Sequence, residues 1–193
     1  GRGETVGARL TGDARIQGVM FTGSTEVARL LQKTLARRLG PEGKPIPLIA
    51  ETGGQNAMVV DSSALSEQVV FDVLSSAFDS AGQRCSALRV LCVQEDNADH
   101  VLTMLRGAMR ELSVGNPDRL SVDVGPVIDT EARNGIQRHI ETMRTAGHRV
   151  DQVELNGECR HGTFVAPTII EIDHISELTR EVFGPVLHVV RYK

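Results

Sequence analysis

Two side chains in this sequence stand where they could do covalent and acid–base chemistry. Cys85 lies in Ser80-Ala81-Gly82-Gln83-Arg84-Cys85-Ser86, between a helical segment and an apolar run. A nucleophilic cysteine needs access and a stabilised thiolate, because a free thiol with pKa about 8.5 is mostly protonated at neutral pH. The glycine and small neighbours open the sulfur to a reactant, and Arg84 is a candidate to favour the thiolate. The competing reading of a cysteine is a small buried hydrophobe. It suits Cys92, inside Arg-Val-Leu-Cys-Val, better than Cys85. Cys159, in Asn-Gly-Glu-Cys-Arg-His-Gly, reads as a surface-loop cysteine.

Glu51 closes the apolar run Leu48-Ile49-Ala50 and is followed by Thr52-Gly53-Gly54. A carboxylate at a strand end in an α/β sheet is where such sheets present functional groups, and partial burial would raise its pKa toward general-base values. A merely solvated strand-end glutamate is the alternative. A third feature is Phe21-Thr22-Gly23-Ser24 ahead of a helical pattern. Free N–H groups and the positive dipole end at a helix start suit a phosphate, although a simple capped helix reads the same way. Upstream, Gly1 to Gly7 carries a G-x-G-x-x-x-G spacing, which is not the dinucleotide fingerprint.

The elements that must hold these groups follow from periodicity. Val19-Met20-Phe21 reads as a strand. A helix marked by Val27, Ala28, Leu30, Leu31, Leu35 and Leu39 follows it, with Ser24 as N-cap, Glu26 in the first turn and Gly40-Pro41 as its stop. Strands are expected over 46–50 and 57–60, a helix over 66–80 with Val69, Val70, Val73, Leu74 and Ala77 on one face, and a strand over 88–93. Helices near 97–112 and 130–146 and strands near 164–172 and 186–192 complete an α/β pattern with a largely parallel sheet.

Four motifs now line up in one order: Phe21-Thr22-Gly23-Ser24, Glu51-Thr52-Gly53-Gly54-Gln55-Asn56, Gly82-Gln83-Arg84-Cys85 and Glu181-Val182-Phe183-Gly184-Pro185. In order and rough spacing they resemble the aldehyde dehydrogenase superfamily over the whole chain. The wording between them is most similar to the aldehyde dehydrogenase module of bacterial bifunctional proline-utilization proteins. The resemblance implies the C-terminal part of a Rossmann-like cofactor domain, residues 1–53, followed by most of a doubly wound α/β catalytic domain, residues 54–193. It implies NAD-dependent oxidation of glutamate γ-semialdehyde, the open form of pyrroline-5-carboxylate, to glutamate. Succinate semialdehyde or an aliphatic aldehyde is the alternative substrate, and a chain without activity of its own is the alternative outcome.

On the same resemblance Cys85 is the nucleophile and Glu51 the base for the hydrolytic water. Gly23 and Ser24 form the pyrophosphate turn, Gly3 and Gly7 line the adenosine side, and Glu181 and Phe183 hold the nicotinamide ribose. Ser86 touches the aldehyde. The backbone N–H of Cys85 is one oxyanion donor, and the second, an asparagine side chain, is expected upstream of residue 1. Thr52 stands where many relatives carry leucine. A longer parent polypeptide is expected, with FAD in a separate proline dehydrogenase domain, assembled as a homo-oligomer.

Composition narrows the partners. The formal charge is −4 with Lys and Arg scattered, so a nucleic-acid or anionic-membrane footprint is not expected. No apolar run approaches the roughly 20 residues of a membrane span. Three cysteines at irregular spacing speak for a reducing compartment, the cytoplasm, over a disulfide framework. Cys159-x-His161 alone does not amount to metal-ligand spacing, and no metal is expected.

Overall fold

A computed structural model describes all 193 residues. They divide into two compact units, Gly1–Gly54 and Gln55–Lys193.

In the first unit a π-helical turn, Gly3–Gly7, runs into a short helix α1 (Ala8–Gly12). Strand β1 (Val19–Gly23) leads through Ser24 into α2 (Thr25–Leu35), and β2 (Leu48–Thr52) pairs with β1 in parallel, Thr22 opposite Glu51. Ser24 caps α2 as expected, its Oγ accepting from the Val27 N–H at 3.2 Å. The helix stops at Leu35, four residues before the expected Leu39. Leu39 instead bridges Pro45, and the Arg38 guanidinium reaches back to the carbonyls of Thr11 and Ile16 at 3.2 and 2.7 Å. Strand β2 begins at Leu48, two residues later than expected from the apolar run. Pro45 and Pro47 bring no N–H to a ladder, so pairing starts after them. The unit buries Leu35 and Ile46, and Met20, Leu30 and Ile49 stay exposed.

The second unit is built on a five-stranded sheet ordered β3-β4-β7-β6-β5, parallel except for β5. Its strands are β3 (Ala57–Val60), β4 (Val90–Gln94), β5 (Arg149–Gln152), β6 (Thr168–Glu171) and β7 (Val186–Tyr192). The helices are α3 (Ser66–Phe78), α4 (Glu95–Arg110) and α5 (Thr130–Thr145). Strands β4, β6 and β7 supply Val90, Leu91, Val93, Ile169, Ile170, Leu187 and Val189 to the core, which α3 and α4 close with Val73, Ala77, Leu102 and Leu105. These strands read as continuous apolar runs because central parallel strands are covered on both faces. Strand β3 has the bounds expected of it. Strand β4 starts at Val90 rather than 88, since Leu88 gives its N–H to Ser76 of α3.

At the sheet's polar edge Arg106 of α4 is buried and pairs with Asp151 at 2.7 Å and with Glu171, which also receives Arg191 at 3.3 Å. On β7, His188 is 2% exposed and shares a 2.8 Å contact, Nε2 to Nε2, with His139 of α5. One nitrogen must donate and the other accept, so the accepting ring has to be neutral and the two cannot both be protonated.

Burial, with His139 beside it, pushes the His188 imidazole down to about 4. His139 is lowered too, by burial and by the Arg180 charge. The unfolded chain therefore binds protons that the fold excludes, and stability rises with pH across that window. The contribution is complete above the ordinary value of 6.5 and is lost as pH falls toward about 4. Between about pH 7 and pH 5 the fold is expected to lose on the order of 2 kcal/mol from this source. His188→Gln should remove most of that acid sensitivity. Urea unfolding midpoints of both proteins at the two pH values check this, and equal acid losses would contradict it.

Candidate active site

Three segments far apart in sequence reach one end of the sheet because each immediately precedes a strand of a parallel, adjacent set. Gln55-Asn56 precedes β3, Gly82–Arg89 precedes β4, and Glu181–Pro185 precedes β7. The cluster thus sits at the N-terminal ends of these strands, whereas Gly23-Ser24 and Glu51 of the first unit sit at the C-terminal ends of β1 and β2.

The route from α3 to Cys85 is a tight left-handed turn. After Phe78 the chain takes Ser80 and Ala81 at φ of 55° and 53° and Gly82 at 64°. This is why the helix expected to reach Ser80 ends at Phe78. Left-handed geometry costs a non-glycine residue roughly 1–2 kcal/mol. At Gly82 glycine is required twice over: a Cβ there would stand 2.2 Å from the Gly184 carbonyl oxygen and 2.8 Å from that of Ala77.

Arg89 holds this region together. It is 1% exposed, and Nη1 donates to the carbonyls of Gly82 (2.7 Å) and Gly184 (3.1 Å). Nη2 donates to the Arg84 carbonyl at 3.2 Å, and Nε to Oε1 of Glu181 at 3.0 Å. The Phe183 ring lies 5.1 Å from its guanidinium carbon. Burial pulls the Arg89 pKa down from its usual value, and the Glu181 carboxylate opposes that. Asn56 completes the frame, its Nδ2 donating to the carbonyls of Cys85 (2.7 Å) and Ala87 (2.9 Å). Gln83 spans to the next loop, donating to Pro126 O and accepting from Ile128 N. Gln55 donates to Arg180 O at 2.8 Å.

Cys85 is the exposed cysteine of the three, with Ser86 exposed beside it. Arg84 does not serve the thiol: its guanidinium donates to Ser75 O and lies 3.9 Å from Asp79. Cys159 corrects the surface-loop expectation. It is 6% exposed in a 3₁₀ turn capped by Asn156, its Sγ lies 3.5 Å from Val114 O, and burial pushes its thiol up. Cys92 is half-buried and is likewise pushed up by burial. Glu51 is exposed, at the end of β2 in a two-stranded sheet.

Of the remaining expected positions, Glu181 is half-buried and Phe183 exposed, both in the loop that Arg89 holds. Gly23 and Ser24 form the β1–α2 turn, and Gly3 and Gly7 bound the π-helical turn. Asn56 and Arg89 carry the loop geometry without having been singled out in the sequence. The signal for Arg89 was a cation opening an otherwise apolar strand, Arg-Val-Leu-Cys-Val.

The sequence profile of the aldehyde dehydrogenase family matches residues 1–193. The chain is 69% identical over 197 residues to the bifunctional protein PutA of Klebsiella aerogenes, covering 100% of this chain and 15% of that protein. It is 34% identical over 189 residues to 1-pyrroline-5-carboxylate dehydrogenase of Bacillus mycoides, covering 97% of this chain and 36% of that protein. Among solved structures, proline utilization A from Bradyrhizobium japonicum superposes with a TM-score of 0.92 at 52% identity, over all of this chain and 19% of that one. Betaine aldehyde dehydrogenase from Staphylococcus aureus, solved with NAD+, superposes with a TM-score of 0.92 at 28% identity, over all of this chain and 38% of that one. The chain thus spans a minor part of each relative's length.

The Gly82 geometry yields a direct test. Gly82→Ala combines a left-handed φ with a backbone clash and should cost at least about 2 kcal/mol. Thermal unfolding should show a drop of several degrees, and a substitution that leaves Tm unchanged would refute the close approach to Gly184.

Proposed function

This chain belongs to the aldehyde dehydrogenase family, and we propose that it supplies the nucleophile and part of the cofactor surface of an NAD-dependent enzyme that oxidises glutamate γ-semialdehyde to glutamate. The carrying observation for the chemistry is the exposed thiol of Cys85 on a loop fixed by Arg89 and Asn56. Support for the substrate is the 69% identity to PutA together with the likeness to a 1-pyrroline-5-carboxylate dehydrogenase. On this reading the chain is an internal stretch of a longer polypeptide. Residues 1–53 belong to its cofactor domain and 54–193 to its nucleophile-bearing domain. FAD belongs to a separate proline dehydrogenase domain, and the protein is a cytoplasmic homo-oligomer without nucleic-acid or membrane contact through this segment.

The residues present fit the cofactor. Arg89 contacts only Oε1 of Glu181, which leaves Oε2 to accept from a ribose hydroxyl, and the Phe183 ring is 46% exposed beside it. Gly23 and Ser24 would hold the pyrophosphate at the start of α2, and Gly3 and Gly7 would line the adenosine side. When bound, NAD supplies the hydride acceptor.

The protein's own steps follow. The Cys85 thiolate adds to the aldehyde carbon, and the carbonyl electron pair moves onto oxygen, where the Cys85 N–H can stabilise it. Loss of hydride turns this hemithioacetal into a thioester. Glu51 takes a proton from water, which adds to the thioester carbon and expels the thiolate, releasing the acid. Ser86, beside the sulfur, orients the aldehyde.

The test is NADH formation by the full-length protein from glutamate γ-semialdehyde, compared with propanal. A kcat/KM at least about 100-fold higher for the semialdehyde is expected, because a site with groups for the substrate's polar end discriminates strongly against an analogue lacking it. Equal turnover of propanal would overturn the substrate assignment.

Two substitutions test the roles. Cys85→Ala should abolish oxidation while NAD still binds, and retention of a tenth of the rate would sink the nucleophile assignment. Glu51→Gln should preserve an initial burst of NADH but slow the steady state by about 10²–10⁴-fold, the usual weight of a general base. An undiminished steady state would remove Glu51 from the mechanism.

A further inference from the structure

Cys85 is held by its backbone on both sides. The peptide linking Arg84 to Cys85 is trans, so its carbonyl and its N–H point in opposite directions. That carbonyl is drawn inward by two donors, Nη2 of Arg89 at 3.2 Å and the Ala87 N–H at 3.0 Å. The Cys85 N–H on the other edge of the plane must then face away from Arg89, and it donates to no protein acceptor. The following peptide is fixed through the Cys85 carbonyl by Asn56. Meanwhile the same guanidinium holds Gly82 O and Gly184 O, so the plane is anchored to the loop that carries Glu181 and Phe183.

We propose that Arg89 is a positioning residue that aims the backbone N–H of Cys85 at the oxygen of the carbonyl under attack and strengthens it as a donor. The inference rests on the reading of Cys85 as an acyl-forming nucleophile. Aim comes from the planar peptide, since whatever fixes the carbonyl fixes the N–H. Strength comes from polarisation, because a carbonyl that accepts from a cation in a buried setting leaves its own N–H more positive. Arg89 touches neither sulfur nor substrate, and its effect reaches the reaction through one amide.

The test separates attack that builds an oxyanion from attack that does not, using the full-length protein without cofactor. With p-nitrophenyl acetate, the Cys85 thiolate forms an S–C bond to the acetyl carbon, the carbonyl pair moves to oxygen, and collapse expels p-nitrophenolate. With iodoacetamide, the S–C bond forms as the C–I bond breaks, and no oxyanion arises. Arg89→Lys keeps a positive charge but cannot span three carbonyls and a carboxylate. It should lower the ratio of acylation to alkylation rate at least about tenfold, a fraction of the 10²–10³ lost when an oxyanion donor is removed outright.

A ratio within twofold of wild type, whatever the absolute rates, would reduce Arg89 to a loop anchor and overturn the proposal. Should Arg89→Lys fail to fold, the wild-type protein trapped as a hemithioacetal decides: Cys85 N within hydrogen-bond distance of the adduct oxygen and Arg84 O still on Arg89 supports it, and an Arg84 carbonyl turned away refutes it. A wild type that alkylates but never acylates at Cys85 defeats both the proposal and the nucleophile reading. Acylation without NADH formation from any aldehyde leaves the role of Arg89 standing and removes only the dehydrogenase reading.

Discussion

The candidate active site depends on the satisfaction of one buried cation. A guanidinium that is 1% exposed costs several kcal/mol in lost hydration unless each face of its fork finds a partner. Arg89 meets this with three main-chain carbonyls and one carboxylate. The dependence runs both ways. Gly82 and Gly184 are both buried, and removing the side chain would leave the Gly82 carbonyl without a partner and the Gly184 carbonyl with the Val186 N–H alone. The loop before β4 and the loop before β7 are therefore tied through a single residue, and neither can shift without leaving a charge or a carbonyl bare.

Sheet topology is what lets one side chain do this. Strand β4 lies between β3 and β7, all three parallel, so the segments that enter them arrive side by side although Asn56 is 29 residues from Cys85 and Arg89 is 95 residues from Gly184. The ladder itself continues into the loops: Arg89 and Val90 donate to Asn56 O, and His188 donates to Arg89 O. Arg89 is thus held on the main chain by both neighbouring strands before its side chain makes any contact. The left-handed turn at Ser80–Gly82 then lets the chain leave α3 close enough to Gly184 for the guanidinium to reach both carbonyls. Strain at that turn is offset by the bonds it permits.

Much of this was legible in the sequence, because periodicity and punctuation act locally. The apolar face of α3, the presence of α4, the Ser24 cap, the bounds of β3, and the contrast between an accessible Cys85 and a more enclosed Cys92 all follow from residues within a few positions of one another. What could not be read depends on partners distant in sequence. Cys159 sits among charged and small residues that look like a surface loop, yet Asn156 folds the turn back against Val114, some 45 residues upstream, and covers the sulfur. Residues 36–39 keep the helical apolar spacing, but Arg38 finds the carbonyls of Thr11 and Ile16 and the helix stops short. Nothing near Arg89 in sequence announces the carbonyls and the carboxylate gathered around it. The motif letters Gln55, Asn56 and Gln83 turn out to be loop fasteners.

The same geometry bears on where the rate would come from. A cysteine nucleophile can be helped by lowering the energy of its thiolate or by lowering that of the oxyanion it creates. The neighbouring cation placed to do the first, Arg84, is committed to Ser75 and Asp79, on the α3 side of the turn. The second is favoured by construction. Both peptides flanking Cys85 are pinned through their carbonyls by Arg89, Ala87 and Asn56, while the sulfur and the Cys85 N–H are left without protein partners. A donor fixed before the substrate arrives has no reorganisation left to undergo during the reaction, which is the condition under which a single hydrogen bond contributes most to an acyl-transfer step.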